Sequence, residues 1–298
     1  MKTNKIISVV ISAILCGGIL FTGCGGGSNS TNNNSFDTGN GNSSLFSPNA
    51  IKAEPTIANG KRVKEVVLSV PNVGIDSTFI YNDFFDLSNG EYTQNCPQGG
   101  TLSLTLNKNE NSVNMAINAN NCNWGDVIMN GKINIIARNF DNSANKYKNY
   151  ITEYSTDFIA TYNSYELKIF ANSYIERNVN FENGNWKDYN LSISLRATNG
   201  NKYVGLQNCK FYFTKDGNLE KFYQTKGKIY IDQDLYVEYD ENYDMSQTPF
   251  EFSNSTLING EARYTMSNNS KMKIVVESNE AKVYIDSNND GEFELSEE

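Results

Sequence analysis

Short stretches in which apolar and polar residues alternate run through most of this chain from about residue 62 onward. Successive side chains of a β-strand point to opposite faces, so this alternation is typical of strands with one buried face. Each stretch is rich in β-branched or aromatic residues, which also favours strands. The apolar positions are Leu102, Leu104, Leu106, Val113, Met115, Ile117, Ala119, Ile133, Ile135, Leu167, Ile169, Leu191, Ile193, Leu195, Phe211, Phe213, Ile229, Ile231, Leu235, Val237, Tyr239, Met272, Ile274, Val276, Val283 and Ile285.

Turn signals separate these stretches. Asn-Gly and Asp-Gly pairs accept the positive φ that tight hairpin turns require. No segment carries a clear helical stripe, although residues 147–165 are ambiguous between helix and strand. We therefore predict an all-β fold, either a hairpin-rich antiparallel sandwich or a strongly curved sheet. The pairs are Asn130-Gly131, Asn183-Gly184, Asn199-Gly200, Asp216-Gly217 and Asn259-Gly260.

The first residues follow the plan of a secretory signal peptide. Lys2 and Lys5 give a basic start, and residues 6–21 are almost wholly apolar. At about 16 residues this stretch is short for a membrane span, which needs roughly 20. Phe21-Thr22-Gly23-Cys24 then resembles the lipobox of bacterial lipoproteins, although Phe21 stands where leucine is usual. The resemblance implies cleavage after Gly23 and attachment of lipid, including palmitate, to Cys24.

Lipidation on Cys24 would hold the protein to a membrane, since two or more acyl chains give stable attachment. Gly25 is not the aspartate that marks inner-membrane retention in enterobacterial lipoproteins, so we expect the outer membrane in a cell with two membranes. The residues that follow are mainly Gly, Ser, Asn and Thr, a composition typical of a flexible tether. We divide the chain into a signal peptide (residues 1–23), the lipidated cysteine with its tether (24–60) and a β domain in one or two lobes (61–298).

Cys96, Cys122 and Cys209 remain after Cys16 leaves with the signal peptide and Cys24 takes the lipid. An exported domain meets oxidising chemistry, so a disulfide is expected. Cys96 and Cys122 lie almost equally far on either side of the break at residues 107–112. Folding a hairpin there brings them together, and we predict that they form the disulfide. Cys209 shares strand parity with Phe211 and Phe213, and we interpret it as a buried thiol.

The carboxy-terminal segment Asp286–Glu297 resembles the twelve-residue calcium loop of EF-hands. Calcium prefers six to eight hard oxygen ligands, and a glycine at the sixth place allows the loop to turn around the ion. The preceding residues alternate like a strand, so a strand enters this loop where an EF-hand has a helix. The alternative is a solvated acidic turn that binds no metal ion. The ligands implied by position are Asp286, Asn288, Asp290, the backbone carbonyl of Glu292, and Glu297.

A second, looser resemblance covers scattered positions over about half of the mature chain. Cys96-Pro97-Gln98-Gly99-Gly100, Asn121-Cys122, Asn130–Ile133 and Gly227–Ile231 look like a pattern in uncharacterised proteobacterial lipoproteins. This resemblance implies a β-rich lipoprotein domain, and it implies no particular activity.

Composition excludes several classes of site. The chain has no histidine, which removes Ser-His-Asp and Cys-His catalysis and His-ligated zinc. Removing the signal peptide takes away two lysines and no acid, so the net charge of −9 becomes about −11. Nucleic-acid binding is therefore not expected, because it needs clustered Lys and Arg.

These observations predict an envelope protein that is not an enzyme and that acts by binding or structural interaction. The expected partners are the membrane, through the lipid, and a protein or glycan of the envelope. Two alternatives remain. One is a polysaccharide hydrolase with two catalytic carboxylates, and the other is a carrier of an apolar ligand. Trp124 and Trp186 lie beside turns, where exposed aromatic rings can stack on sugars.

Overall fold

The computed structural model describes residues 45–75, 88–162, 165–200 and 202–295. Within these residues the chain forms nineteen β-strands and one α-helix, and strands make up 63% of the structure, so the predicted all-β class is confirmed. Most neighbouring strands are antiparallel hairpin partners. The elements are β1 (Ile51–Lys52), α1 (Ile57–Ile75), β2 (Gly90–Asn95), β3 (Thr101–Lys108), β4 (Ser112–Asn123), β5 (Val127–Asp141), β6 (Lys146–Tyr154), β7 (Phe158–Tyr162), β8 (Tyr165–Ile169), β9 (Tyr174–Glu182), β10 (Asn185–Asn199), β11 (Lys202–Asp216), β12 (Leu219–Tyr230), β13 (Leu235–Tyr239), β14 (Phe250–Ser253), β15 (Thr256–Asn259), β16 (Glu261–Thr265), β17 (Lys271–Glu277), β18 (Glu280–Asp286) and β19 (Glu294–Leu295).

The chain separates into two compact units. One unit includes Ser69–Asn178 and Leu195–Tyr203, and we call it the first unit. The second unit includes Phe46–Leu68, Val179–Ser194 and the chain from Val204 onward.

The first unit is built on the meander β2 to β5. Leu102 lies opposite Ala119, and Leu104 lies opposite Ile117, as the alternation predicts. All four side chains are buried, which places the core on one face of these strands. The adjoining strand β6 has residues 149–152 buried on both faces. The described residues of the ambiguous segment 147–165 lie in β6, β7, the turn between them and the start of β8, and none of them is helical.

The core of the second unit is rich in aromatic residues. Tyr189 stacks on Phe213 at 4.3 Å between ring centroids, and Phe213 stacks on Phe222 at 5.5 Å. Phe222 continues the series onto Phe250 at 5.1 Å. The rings belong to different strands, so cross-strand aromatic contacts join β10, β11, β12 and β14.

Helix α1 is the main departure from the sequence analysis, which found no helical stripe. Its buried residues Val63, Val66, Val67 and Val70 follow the i, i+3, i+4, i+7 spacing of one helical face. Four valines favour strands by intrinsic propensity, and Pro71 interrupts the pattern. Tertiary packing outweighs that preference. The helix packs closely against β18, because a Cβ added at Gly60 would lie 2.7 Å from the Val283 side chain.

Ordered structure also begins before residue 61, where the predicted tether ends. Leu45 and Phe46 are buried, and the Phe46 ring stacks on Tyr230 at 4.6 Å. Strand β1 pairs in parallel with β13. Apolar packing therefore orders residues that the polar composition around them assigned to the tether. Residues 1–44, with the predicted signal peptide, Cys24 and the rest of the tether, lie outside the described residues.

Three of the five Gly-containing turn signals lie where hairpins turn, at Asn183-Gly184, Asn199-Gly200 and Asp216-Gly217. Asn130-Gly131 instead lies inside β5, and Asn259-Gly260 joins β15 to β16, whose residues pair with other strands. The prediction of a hairpin turn is therefore wrong at both places. Asn121 in β4 has a φ of 46°, and the register of β4 and β5 shifts between Ala119 and Cys122. Gly131 does have a positive φ, of 123°, but it lies opposite Ala119 at the irregular part of the β4–β5 pairing and not in a hairpin turn.

Candidate functional site

The predicted calcium loop closes a short hairpin at the end of the described chain. Strand β18 ends at Asp286, and β19 begins at Glu294 and pairs back on Ile285. The Phe293 ring lies beneath Lys273, with the ammonium nitrogen 4.7 Å from the ring centroid. Strand pairing and this contact hold the end of the loop against β17 and β18.

The side chain of Asp286 organises the backbone of the loop. Its carboxylate is buried, with 2% of the residue exposed, and it accepts N–H bonds from Asp290 at 3.1 Å and Gly291 at 3.0 Å. Asp290 in turn accepts the N–H of Glu292 at 2.8 Å. Gly291 has a φ of 89°, which permits the turn. The first, fifth and sixth places of the predicted loop are therefore joined by hydrogen bonds.

The structure places three of the predicted ligands, Asp286, Asn288 and Asp290, within hydrogen-bond contact of one another. Asn288 donates a bond of 2.8 Å to the Asp290 carboxylate, and the side chains of both residues lie at the surface. Glu292 is exposed, and Glu297 lies outside the described residues. Within the part of the chain that the structure describes, no three Asp, Glu, His or Cys side chains form a group that could hold a metal ion.

Cys96 and Cys122 form a disulfide, as the hairpin argument predicts. Their Cα atoms are 5.3 Å apart, and both residues are buried. The turn at residues 109–111 between β3 and β4 lies where the break in alternation places it. Equal distances from that turn are what bring the two cysteines to the same end of the hairpin.

The disulfide loop also supports the end of β4. Asn123 accepts an N–H bond from Gln98 and donates one to Gly99, at 3.0 and 2.9 Å. The side chain of Gln98 lies against Gly125, since its Nε2 would be 3.3 Å from a Cβ added there. The residues that flank Trp124 are thus bound on both sides to a segment that the disulfide closes.

An aromatic row lies at that end of the first unit. We use this name for the three aromatic residues Trp124, Tyr162 and Tyr165 together with Val127, which lies between Trp124 and Tyr162 in the row. Trp124 donates its backbone N–H to Val127 at 2.9 Å, Val127 pairs with Tyr162, and Tyr162 pairs with Tyr165. Directly opposed residues point to the same face, so the four side chains lie side by side across four neighbouring strand segments.

Only part of the aromatic row is visible to sequence reasoning. Trp124 stands out in the sequence because it lies beside a turn, whereas nothing in the sequence distinguishes Tyr162 and Tyr165 from the other tyrosines. Tyrosine is common in this chain, with 18 copies, and most aromatic residues of β proteins are in the core. What distinguishes the two tyrosines is that they pair with each other at the end of β7 and the start of β8, next to the buried residues Ala160 and Leu167. This can be recognised only when the register of the strands is known.

Cys209 lies in a buried polar network of the second unit. Gln224 accepts a bond of 2.9 Å from the Tyr264 hydroxyl and donates one of 3.0 Å to the Lys226 carbonyl. The Gln224 amide also lies 3.7 Å from the Cys209 sulfur. Burial raises the pKa of the Cys209 thiol far above its ordinary value. The thiol is therefore protonated and inert, and the prediction that it is buried is confirmed.

Searches with protein-family models, curated proteins and solved structures found no match to this chain. None of the helical residues that the structure describes makes up a span long and apolar enough to cross a membrane.

Proposed function

We propose that this chain is an exported bacterial lipoprotein whose β domain binds another component of the cell envelope. The observation that carries the proposal is the order of features in residues 1–44. A basic start, a short apolar stretch, Phe21-Thr22-Gly23-Cys24 and a polar tether follow one another. The proposed anchor is lipid on Cys24, and the proposed location is the outer membrane where two membranes exist.

The disulfide supports export. Disulfides persist in oxidising compartments and are rare in the reducing cytosol. Cys96 and Cys122 are joined, whereas Cys209 is buried among hydrogen-bonding groups of another part of the fold. A protein that leaves the cytosol gains stability from such a bond, and this one closes a long loop within a meander.

The tether gives the lipid anchor a spacing role. Some 20 residues of Gly, Ser, Asn and Thr separate Cys24 from the buried pair Leu45 and Phe46. A flexible chain of about that length has a root-mean-square reach of roughly 25 Å. The domain would therefore stand clear of the lipid surface, where a partner can reach it.

Replacing Cys24 with serine should abolish lipid attachment, because serine lacks the sulfur that forms the thioether. We expect incorporation of an alkyne-tagged palmitate, fed to cells that express the full chain, to fall to background in the Cys24→Ser variant. Cys16→Ser is the matched control, since it removes the other cysteine of the leader and should keep full labelling. Labelling that persists in Cys24→Ser, or that is absent from the parent protein, would contradict the proposed anchor.

We propose calcium as a stabilising ligand of the terminal loop. The bonds from Asp290 and Gly291 to the Asp286 carboxylate already give this loop a turned backbone. Asp286, Asn288, Asp290 and the Glu292 carbonyl are oxygen donors of the kind that calcium takes, and Glu297 would add another. Calcium would join the loop to β18 and so stabilise the folded state.

Calcium at a hundred times its Kd should stabilise the folded chain by about 2.7 kcal/mol, because it binds only the folded state. Thermal unfolding with calcium and with chelator measures this as a rise in Tm. Asp290→Ala should abolish the rise. Glu280→Ala is the control, since it removes an exposed acid of the neighbouring β17–β18 hairpin and should leave the response intact. An equal response in Asp290→Ala would reject the loop as the calcium site.

A further inference from the structure

We propose that the aromatic row binds a linear, uncharged oligosaccharide. This inference rests on the proposed function, and it deepens it by naming the class of partner that the β domain would recognise at the envelope.

The row is the exposed continuation of a buried face. Two positions from the row, on the same face of each strand, lie Cys122, Met129, Ala160 and Leu167, and all four are buried. At the row itself the exposed fraction rises to 52% for Tyr162 and 67% for Tyr165. The face that forms the core thus ends in large aromatic side chains that the core does not cover.

The chemistry of these side chains suits a sugar. The C–H face of a pyranose ring packs on an aromatic ring, while its hydroxyls need donors and acceptors at the edge. Among the described residues, neither phenol hydroxyl of Tyr162 or Tyr165 has a hydrogen-bond partner, and both are exposed. The Trp124 indole nitrogen is buried, so what the half-buried ring presents to solvent is carbon.

The row is long and narrow, which favours a chain of sugar rings over a protein surface. It spans four strand segments, about 14 Å at the usual spacing between neighbouring strands. It is only one residue wide, between buried residues on one side and the end of the strands on the other. A stable protein interface takes about 20 to 30 residues from each partner, whereas this row offers four.

The charge around the row favours an uncharged polymer. Asp126, in the turn between Trp124 and Val127, is exposed, and the whole chain carries a net charge of −9. An anionic polymer would be repelled by this field. Gln98 is exposed beside Gly125 and supplies an amide that can bond to sugar hydroxyls without charge.

The disulfide fixes the row before any ligand arrives. Cys122 precedes Trp124 by two residues on the same face, and the bonds of Asn123 to Gln98 and Gly99 hold the strand end. Ordering a binding surface in advance lowers the entropy cost of binding. Fixed tryptophan and tyrosine rings supply contact area at small cost in side-chain entropy.

The chain has two tryptophans, so a Trp186→Phe background leaves Trp124 as the single reporter. We would titrate the full chain in detergent micelles with cellohexaose and with fully N-acetylated chitohexaose, both uncharged, and follow Trp124 emission. We expect a saturable change with at least one hexaose, and at least a tenfold higher Kd in Tyr165→Ala and in Tyr162→Ala. Both tyrosines are exposed, so these substitutions should leave folding intact, as circular dichroism would check.

Ile258→Ala is the matched control, because it removes an exposed apolar side chain of the second unit and should leave the Kd unchanged. Absence of an emission change at millimolar hexaose, or equal Kd values in the tyrosine variants, would overturn the proposal. Capture of a protein by a photo-cross-linker at position 165, without hexaose binding, would also overturn it. Hexaose binding should be unaffected by Cys24→Ser, so loss of binding and loss of lipid attachment are separate results.

Discussion

Removing the disulfide should lower the free energy of unfolding by about 3.5 kcal/mol in the double variant Cys96→Ala/Cys122→Ala. The bond joins residues 26 positions apart, and closing a loop of that length restricts the unfolded chain by about this amount. The bond also holds the segment that contacts Asn123, so the end of β4 should loosen. Urea unfolding, monitored by circular dichroism, measures the loss.

Chemical reduction provides the control for this prediction. The parent protein treated with dithiothreitol should unfold at the same urea concentration as the untreated double variant, and the double variant should not respond to the reductant. Cys209 is buried and unpaired with another cysteine, so it should not alter this comparison. A double variant as stable as the oxidised parent would show that the bond does not contribute to stability.

Replacing Gly131 with alanine should destabilise the first unit by about 3 kcal/mol or more. Gly131 has a φ of 123°, and a Cβ there would lie 2.4 Å from the Asp157 carbonyl oxygen and 2.8 Å from the Phe158 Cα. Backbone atoms cannot move aside as a side-chain tip can, so strain adds to the cost of the positive φ.

The close approach at Gly131 follows from the topology of β5. One edge of β5 pairs with β6 through residues 133–141 and with β7 through residues 127–130. The chain between β6 and β7 crosses beside Gly131, where the Lys132 N–H donates a bond of 2.9 Å to the Thr156 hydroxyl. Alanine at position 131 would push this crossing away and disturb the pairing of β7, which carries Tyr162.

The Gly217→Ala variant separates the cost of the positive φ from the cost of the steric clash with backbone atoms. Gly217 has a φ of 57° in the hairpin turn between β11 and β12, and a Cβ there would meet no atom within 4 Å. Its cost should be only that of the left-handed conformation, about 1 to 2 kcal/mol. Urea unfolding of both variants tests the argument, which fails if Gly131→Ala is no more destabilising than Gly217→Ala.

The candidate sites were predictable to different extents. The Cys96–Cys122 pair could be predicted because a hairpin places residues by their distance from its turn, and that distance is local information. The calcium loop could be recognised as a motif, because the spacing of its ligands is local in the sequence. Which oxygen atoms face one another depends on the hydrogen bonds of Asp286 and Asp290 in the folded loop. The aromatic row could not be predicted, because it needs the register of β4, β5, β7 and β8.

The sequence by itself determined the secondary-structure class, since alternation with period two is a property of a single strand and its neighbours. It also determined the cysteine pairing and three of the hairpin turns. Only the tertiary structure decided that Val63, Val66, Val67 and Val70 form one face of a helix, because burial against other elements outweighs the strand preference of valine. The same holds for Gly131, whose need for glycine arises from a backbone that returns 24 or more residues later in the chain.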